Sequence, residues 1–142
     1  MKTRVLLVDD EKDFVETLSQ RLEVREFDVM TALSGDEALN LIRENDFDVV
    51  ILDVQMPGKN GVETLIEIKK IKPLVYVIML TGHATVETAI EGMKLGAFDY
   101  LMKPTETEAL VDKISKARNL KADHEERIQK AEINGILKRR GW

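Results

Sequence analysis

Three aspartates, a threonine and a lysine occupy the same kind of place in this 142-residue sequence. Asp9 and Asp10 follow the apolar run VLLV, Asp53 follows VVIL, Thr81 follows VYVIML and Lys103 follows YLM. Adjacent carboxylates repel, so three of them gathered on one rim call for a counter-charge. A hard divalent cation meets that need, and Mg2+ suits a site of few carboxylates completed by water and phosphate oxygens. A lysine and a hydroxyl opposite such a cation supply a point charge and a hydrogen-bond donor for a phosphoryl group. Asp53, at the end of a buried run, is then the candidate nucleophile, since a carboxylate can form an acyl phosphate.

For these residues to meet, the chain must bring distant segments to one edge. Five apolar, β-rich segments recur: Val5 to Val8, Phe27 to Thr31, Phe47 to Leu52, Val75 to Leu80, and Phe98 to Met102. Between them the apolar spacing changes to that of a helix, as in Phe14, Leu18 and Leu22, or Ala38, Leu41 and Ile42. Near-continuous apolar runs suit strands covered on both faces, whereas Phe27–Asp28–Val29 and Phe98–Asp99–Tyr100 alternate as edge strands do. Five βα units predict an α/β fold with an open parallel sheet and helices on both faces, in which functional groups gather beyond the carboxyl ends of the strands.

Helix starts are expected near Asp10 or Glu11, Ser34, Gly61, Ala84 and Thr105. Ser34 with Glu37, and Thr105 with Glu108, have the spacing of a capping box. Pro57, Gly58 and Gly61 shape the loop after Asp53. Glu11 and Asp13 read as acids of the first helical turn.

Composition narrows the classes. With no cysteine, the chain has neither disulfides nor thiolate chemistry, and His83 and His124 lack zinc-protease spacing. The net charge of −5 is uneven: residues 119–142 hold six basic side chains against four acidic, so the acidic excess lies in residues 1–118. That body lacks the footprint of a nucleic-acid binder, and direct nucleic-acid binding is not expected. The first residues hold too few apolar side chains for a signal-peptide core, and no run reaches membrane-span length. A cytoplasmic protein without membrane association is the expectation. No GxxxxGK[ST] or GxGxxG follows the first strand, which argues against a nucleotide site.

From about Thr3 to Ala117 the sequence resembles a bacterial two-component response-regulator receiver domain, through VDDE, Asp53 with MPG, Thr81–Gly82, and GAFDYLMKP. The resemblance implies a flavodoxin-like (βα)5 fold with strand order 2-1-3-4-5. It implies that Asp53 is the phosphoacceptor, served by a sensor histidine kinase or phosphotransfer protein. It implies that Mg2+ is held by Asp10, Asp53 and the main-chain carbonyl of Gln55, with Asp9 acting indirectly, and that Thr81 and Lys103 bind the phosphoryl group. Tyr100 is implied as the aromatic switch residue, with output through helix 4, strand 5 and helix 5 to a downstream protein partner or a homodimer. Such domains label and unlabel themselves without being turnover enzymes. Gln55 and His83 stand where the family tunes dephosphorylation, although His83 reads equally well as a solvated loop histidine. Lys103–Pro104 is implied to be cis, which costs an X–Pro bond only about 0.5–1 kcal/mol.

Each residue also has a plainer reading. Asp9 and Asp10 alone would be helix N-terminal acids, Thr81 a cap, Lys103 a solvated lysine and Tyr100 edge-strand packing. Their recurrence at corresponding strand ends favours the shared site. The alternative at the level of function is a receiver-like scaffold that is never phosphorylated. Residues 119–142 read as a helical extension or linker, helical until Gly135, belonging to a stand-alone regulator or to the start of a linker. Ile133, Ile136, Leu137 and Trp142 with Lys138 to Arg140 could make a small docking face there, or a frayed basic end.

Overall fold

A computed structural model describes residues 2–54, 61–82 and 86–139. The elements alternate as β1 (Arg4–Val8), α1 (Lys12–Val24), β2 (Asp28–Ala32), α2 (Gly35–Glu44), β3 (Val49–Asp53), α3 (Gly61–Ile71), β4 (Tyr76–Thr81), α4 (Val86–Lys94), β5 (Asp99–Met102) and α5 (Thr107–Arg139). All strand pairs are parallel, and the order across the sheet is β2-β1-β3-β4-β5. The expected flavodoxin-like fold and its strand order are therefore present, with β2 and β5 at the edges as their alternation suggested.

Side-chain alternation along the strands builds two cores. Leu6 and Val8, with Val50, Leu52, Val77 and Met79, face α2 and α3 through Leu39, Ile42, Leu65 and Ile68. Their neighbours Val5 and Leu7, with Val49, Ile51, Ile78 and Leu80, face α1 and α5 through Leu18, Leu22, Leu110 and Ile114. Every residue of β3 is buried, as a strand covered on both faces must be, while β5 alternates between half-buried and exposed. The switch in winding direction falls between β1 and β3, where residues Val8 and Leu52 pair. Asp9 and Asp53 each come next along their strands, so the topology alone sets them side by side.

Local signals were followed in part. Ser34 Oγ accepts the Glu37 N–H at 3.1 Å, and Glu37 Oε2 accepts the Leu33 N–H at 3.1 Å, one residue outside the expected box. A cap of this kind is worth about 1 kcal/mol. The Thr105 expectation is corrected: α5 begins at Thr107, and Glu108 directs its carboxylate to Arg25, whose Nη2 lies at 2.5 Å. An ion pair across to α1 takes the acid that local spacing assigned to a cap. The strands also begin one or two residues later than expected at Phe27, Phe47 and Phe98, which lie just outside the ladders. Ala84, expected to start α4, lies outside the described residues.

The helix α5 runs without interruption through Gly135, beyond the expected stop, for a length of about 50 Å at 1.5 Å per residue. Leu110, Ile114 and Ala117 are buried against the sheet, whereas Leu120, Ile128 and Ile133 are exposed. Between these regimes Lys121, only 16% exposed, reaches the amino-terminal end of the sheet. Its ammonium lies 2.6 Å from Glu125 Oε1 and 3.6 Å from Asp48 Oδ1, and Asp48 Oδ2 accepts the Arg4 N–H at 2.8 Å. Desolvation opposes the charge on Lys121, but Glu125 and Asp48 outweigh it and raise its pKa. The first turn past residue 118 is thus tied to β1 and β3. Truncation after residue 118, or Lys121→Ala, should lower the urea midpoint by an amount corresponding to about 0.5–1 kcal/mol, whereas truncation after Glu126 should leave it unchanged.

Candidate functional site

The carboxyl ends of β1, β3 and β5 build the site. Asp9 continues the β1 line, its N–H donating to the Ala32 carbonyl at 3.1 Å, and its side chain is 1% exposed. A turn brings the Glu11 N–H back to Asp9 Oδ1 at 2.9 Å. Asp53 is the last residue of β3 and is also buried, while Asp10 is exposed. One carboxylate oxygen from each of Asp9, Asp10 and Asp53 can be chosen so that all three lie within 4.8 Å of one another. Gly61 closes the loop after β3: its N–H donates to the Val54 carbonyl at 2.9 Å, and a Cβ there would overlap the Asp53 carbonyl oxygen and Val54 Cα. Only glycine lets α3 begin so close to the acidic strand end.

Lys103 supplies the positive charge. The peptide bond to Pro104 is cis. Its ammonium lies 2.5 Å from Asp9 Oδ2, 3.3 Å from Glu11 Oε1 and 3.9 Å from Asp53 Oδ2. It also sits 4.3 Å from the centroid of the Phe14 ring, a favourable place for a cation. Desolvation is the largest single influence on Lys103 and lowers its pKa; the hydrogen bond and charge of Asp9, with Asp53 and Glu11, together overcome it and raise the pKa. Lys103 is therefore a permanent cation at neutral pH.

The other expected residues divide. Thr81 ends β4 in register with Met102, one residue before Lys103, so its backbone reaches the same rim; its side chain lies outside the described residues. Gln55 and His83 also lie outside them. Tyr100 on β5 is 41% exposed and lines an open, largely apolar depression with Ala89, Ile90, Met93 and Lys94 of α4. Two site residues escaped the sequence reading. Glu11, read as an acid of the first helical turn, makes no side-chain cap and turns to Lys103 instead. Phe14, read as ordinary helix packing, lies beneath that lysine. Their helical spacing carried no hint of either contact, because both depend on β5 ending above α1.

The donor set fits a hard cation. Among the described residues it is all oxygen and anionic, and the buried Asp9 Oδ2 has the Lys103 ammonium 2.5 Å away. Among the described residues the cluster holds no soft-metal ligand, as Mg2+ or Ca2+ prefers.

The response regulator receiver domain family matches residues 5–115. The chain is 39% identical over 116 residues to the transcriptional regulatory protein ZraR of Salmonella typhimurium, covering 82% of this chain and 26% of ZraR. A receiver domain from Clostridium thermocellum shares 42% identity with a TM-score of 0.81, covering 84% of this chain and 97% of that one. A response regulator from Burkholderia pseudomallei, solved with a phosphorylated aspartic acid, a calcium ion and citrate, shares 26% identity with a TM-score of 0.77, covering 99% of this chain and 86% of that one. The chain belongs to the response regulator receiver domain family. It spans about a quarter of the length of the curated relatives it matches. Among the described residues no helix is long and apolar enough to cross a membrane.

Lys103→Met should cost about 2 kcal/mol at neutral pH in metal-free protein, less than the ~3–5 kcal/mol of a fully buried pair because Lys103 reaches solvent. A raised folded-state pKa means that its contribution is complete below the ordinary lysine value of 10.5 and fades as pH climbs through the raised one. The difference between wild-type and variant urea curves should accordingly be flat near neutrality and shrink above that value.

Proposed function

We propose that this domain is a phosphorylation-dependent signalling switch whose Asp53 accepts a phosphoryl group from a histidine kinase or phosphotransfer protein. The observation that carries the reading is the gathering of Asp9, Asp10 and Asp53 within reach of Lys103, a cationic site against a crowded acidic one. The phosphorylated aspartate and calcium ion of the Burkholderia relative are consistent with it.

In the proposed reaction a carboxylate oxygen of Asp53 attacks phosphorus, the phosphorus–nitrogen bond of the donor histidine breaks, and the imidazole departs with its electron pair. An acyl phosphate is formed, and water later returns the carboxylate and inorganic phosphate. Asp10, Asp53 and the Gln55 carbonyl, with Asp9 behind them, would hold Mg2+, which when bound supplies charge neutralisation for the phosphoryl oxygens. Lys103 donates to one phosphoryl oxygen, exchanging its resting carboxylate partners for a dianion, and Thr81 donates to another. Gln55 and His83 are the residues proposed to tune how long the label lasts.

A switch also requires that the phosphoryl group bind one conformation better than the other. Thr81 and Tyr100 are the proposed link, with output through α4, β5 and α5. Ile90, Met93, Tyr100 and Met102 leave an apolar surface on that side for a downstream partner or a second copy of the chain. The ZraR relative is a transcriptional regulatory protein, and this chain would stand at the input end of a comparable signal. The segment 119–142 would be the helical extension leading from the switch.

Incubation with Mg2+ and acetyl phosphate should add one phosphoryl group to the wild type by intact mass, removable by hydroxylamine, and none to Asp53→Ala. Equal labelling of both proteins, or a hydroxylamine-resistant adduct, would exclude Asp53 and favour a scaffold role. With beryllofluoride and Mg2+, sedimentation velocity should show a concentration-dependent dimer that Ile90→Glu abolishes; an unchanged monomer would remove dimerisation from the output.

A further inference from the structure

Lys103 must be free to reach a phosphoryl group on Asp53, yet it rests closer to two other carboxylates: 2.5 Å from Asp9 and 3.3 Å from Glu11, against 3.9 Å from Asp53. These two competitors differ in what they can do. Asp9 is buried, its N–H is bonded to the Ala32 carbonyl, and its second oxygen holds the Glu11 N–H. It cannot turn away. The side chain of Glu11 is 65% exposed, so water can solvate its carboxylate as soon as Lys103 lets go.

Position makes Glu11 more than a neighbour. It is the N-cap of α1 with φ −84° and ψ 96°, where a side chain ordinarily turns back to the helix; here no side-chain cap bond forms and the carboxylate extends to Lys103. Its backbone and side chain therefore serve different groups: the N–H orients Asp9, and Oε1 engages the lysine. Replacement of the side chain leaves the backbone contact in place and removes no helix cap. The same carboxylate stands at the mouth of the site, where an incoming phosphodonor also carries negative charge.

We infer that Glu11 is a positioning residue that holds Lys103 away from Asp53 in the resting state and restrains phosphoryl transfer from small anionic donors. The inference rests on the phosphoacceptor reading of Asp53. Glu11 acts through Lys103 and does not ligate the cation.

Glu11→Gln keeps the length of the side chain and removes its charge. In metal-free protein, the Lys103 ammonium protons, followed by nitrogen-15 NMR at mildly acidic pH, should exchange about 2- to 5-fold faster than in the wild type, the range expected for an exposed ion pair. At saturating Mg2+ the rate of labelling by acetyl phosphate should rise by a similar factor, with the urea midpoint unchanged. A labelling rate equal to or below that of the wild type, or unchanged ammonium exchange, would overturn the inference. So would a tenfold or greater loss of Mg2+ affinity by calorimetry, which would make Glu11 a cation ligand. If the wild type itself takes no label on Asp53, the phosphoacceptor reading falls and this inference with it; if the wild type is labelled and Glu11→Gln matches it, only this inference falls.

Discussion

Two carboxylates buried side by side at the ends of adjacent strands are the constraint to which the rest of the structure answers. Asp9 and Asp53 are almost fully enclosed, and their charges repel at short range in a medium less polarisable than water. Lys103 relieves part of this from the far side of β4, across two strand spacings. The cis bond to Pro104, the Phe14 ring beneath the ammonium and the half-buried stem all belong to its placement. An acidic excess remains, and it gives a cation something to gain by binding.

The two ends of the sheet treat charge differently. At the amino-terminal end Lys72 pairs with Asp46, and Lys121 with Glu125 and with Asp48, whose other oxygen accepts the Arg4 backbone N–H; the hydrogen bond from Lys72 holds the Asp46 carboxyl below its usual pKa. Charge there serves attachment, tying α5 to β1 and β3. At the carboxyl-terminal end, among the described residues, one lysine faces several acids and meets each only in part. Both ends share a core filled by the same alternating side chains.

Much of this was legible before any coordinates. The alternation of apolar runs with helical spacing gives five βα units, and the exposed character of Phe27–Asp28–Val29 and Phe98–Asp99–Tyr100 marks the edges correctly. Where the reading slipped, a distant partner had outweighed a local preference. Glu108 left its cap for Arg25, and Glu11 left the helix for Lys103. Gly135 did not stop α5, because one glycine costs only about 1 kcal/mol in a helix with strong formers on either side.

By itself the sequence determined the order of elements, the strands that are buried on both faces, and the presence of acids, a hydroxyl and a lysine at strand ends. These follow from short-range periodicity, which a chain carries with it. Which acids are enclosed and which exposed, and which of them Lys103 touches, was decided by the tertiary structure alone. Asp9 and Asp10 are neighbours of one residue type, yet one is buried and the other is not. Side chains alternate in direction at a strand end, and only the packing of β2, β3 and α1 around it decides which direction leads inward.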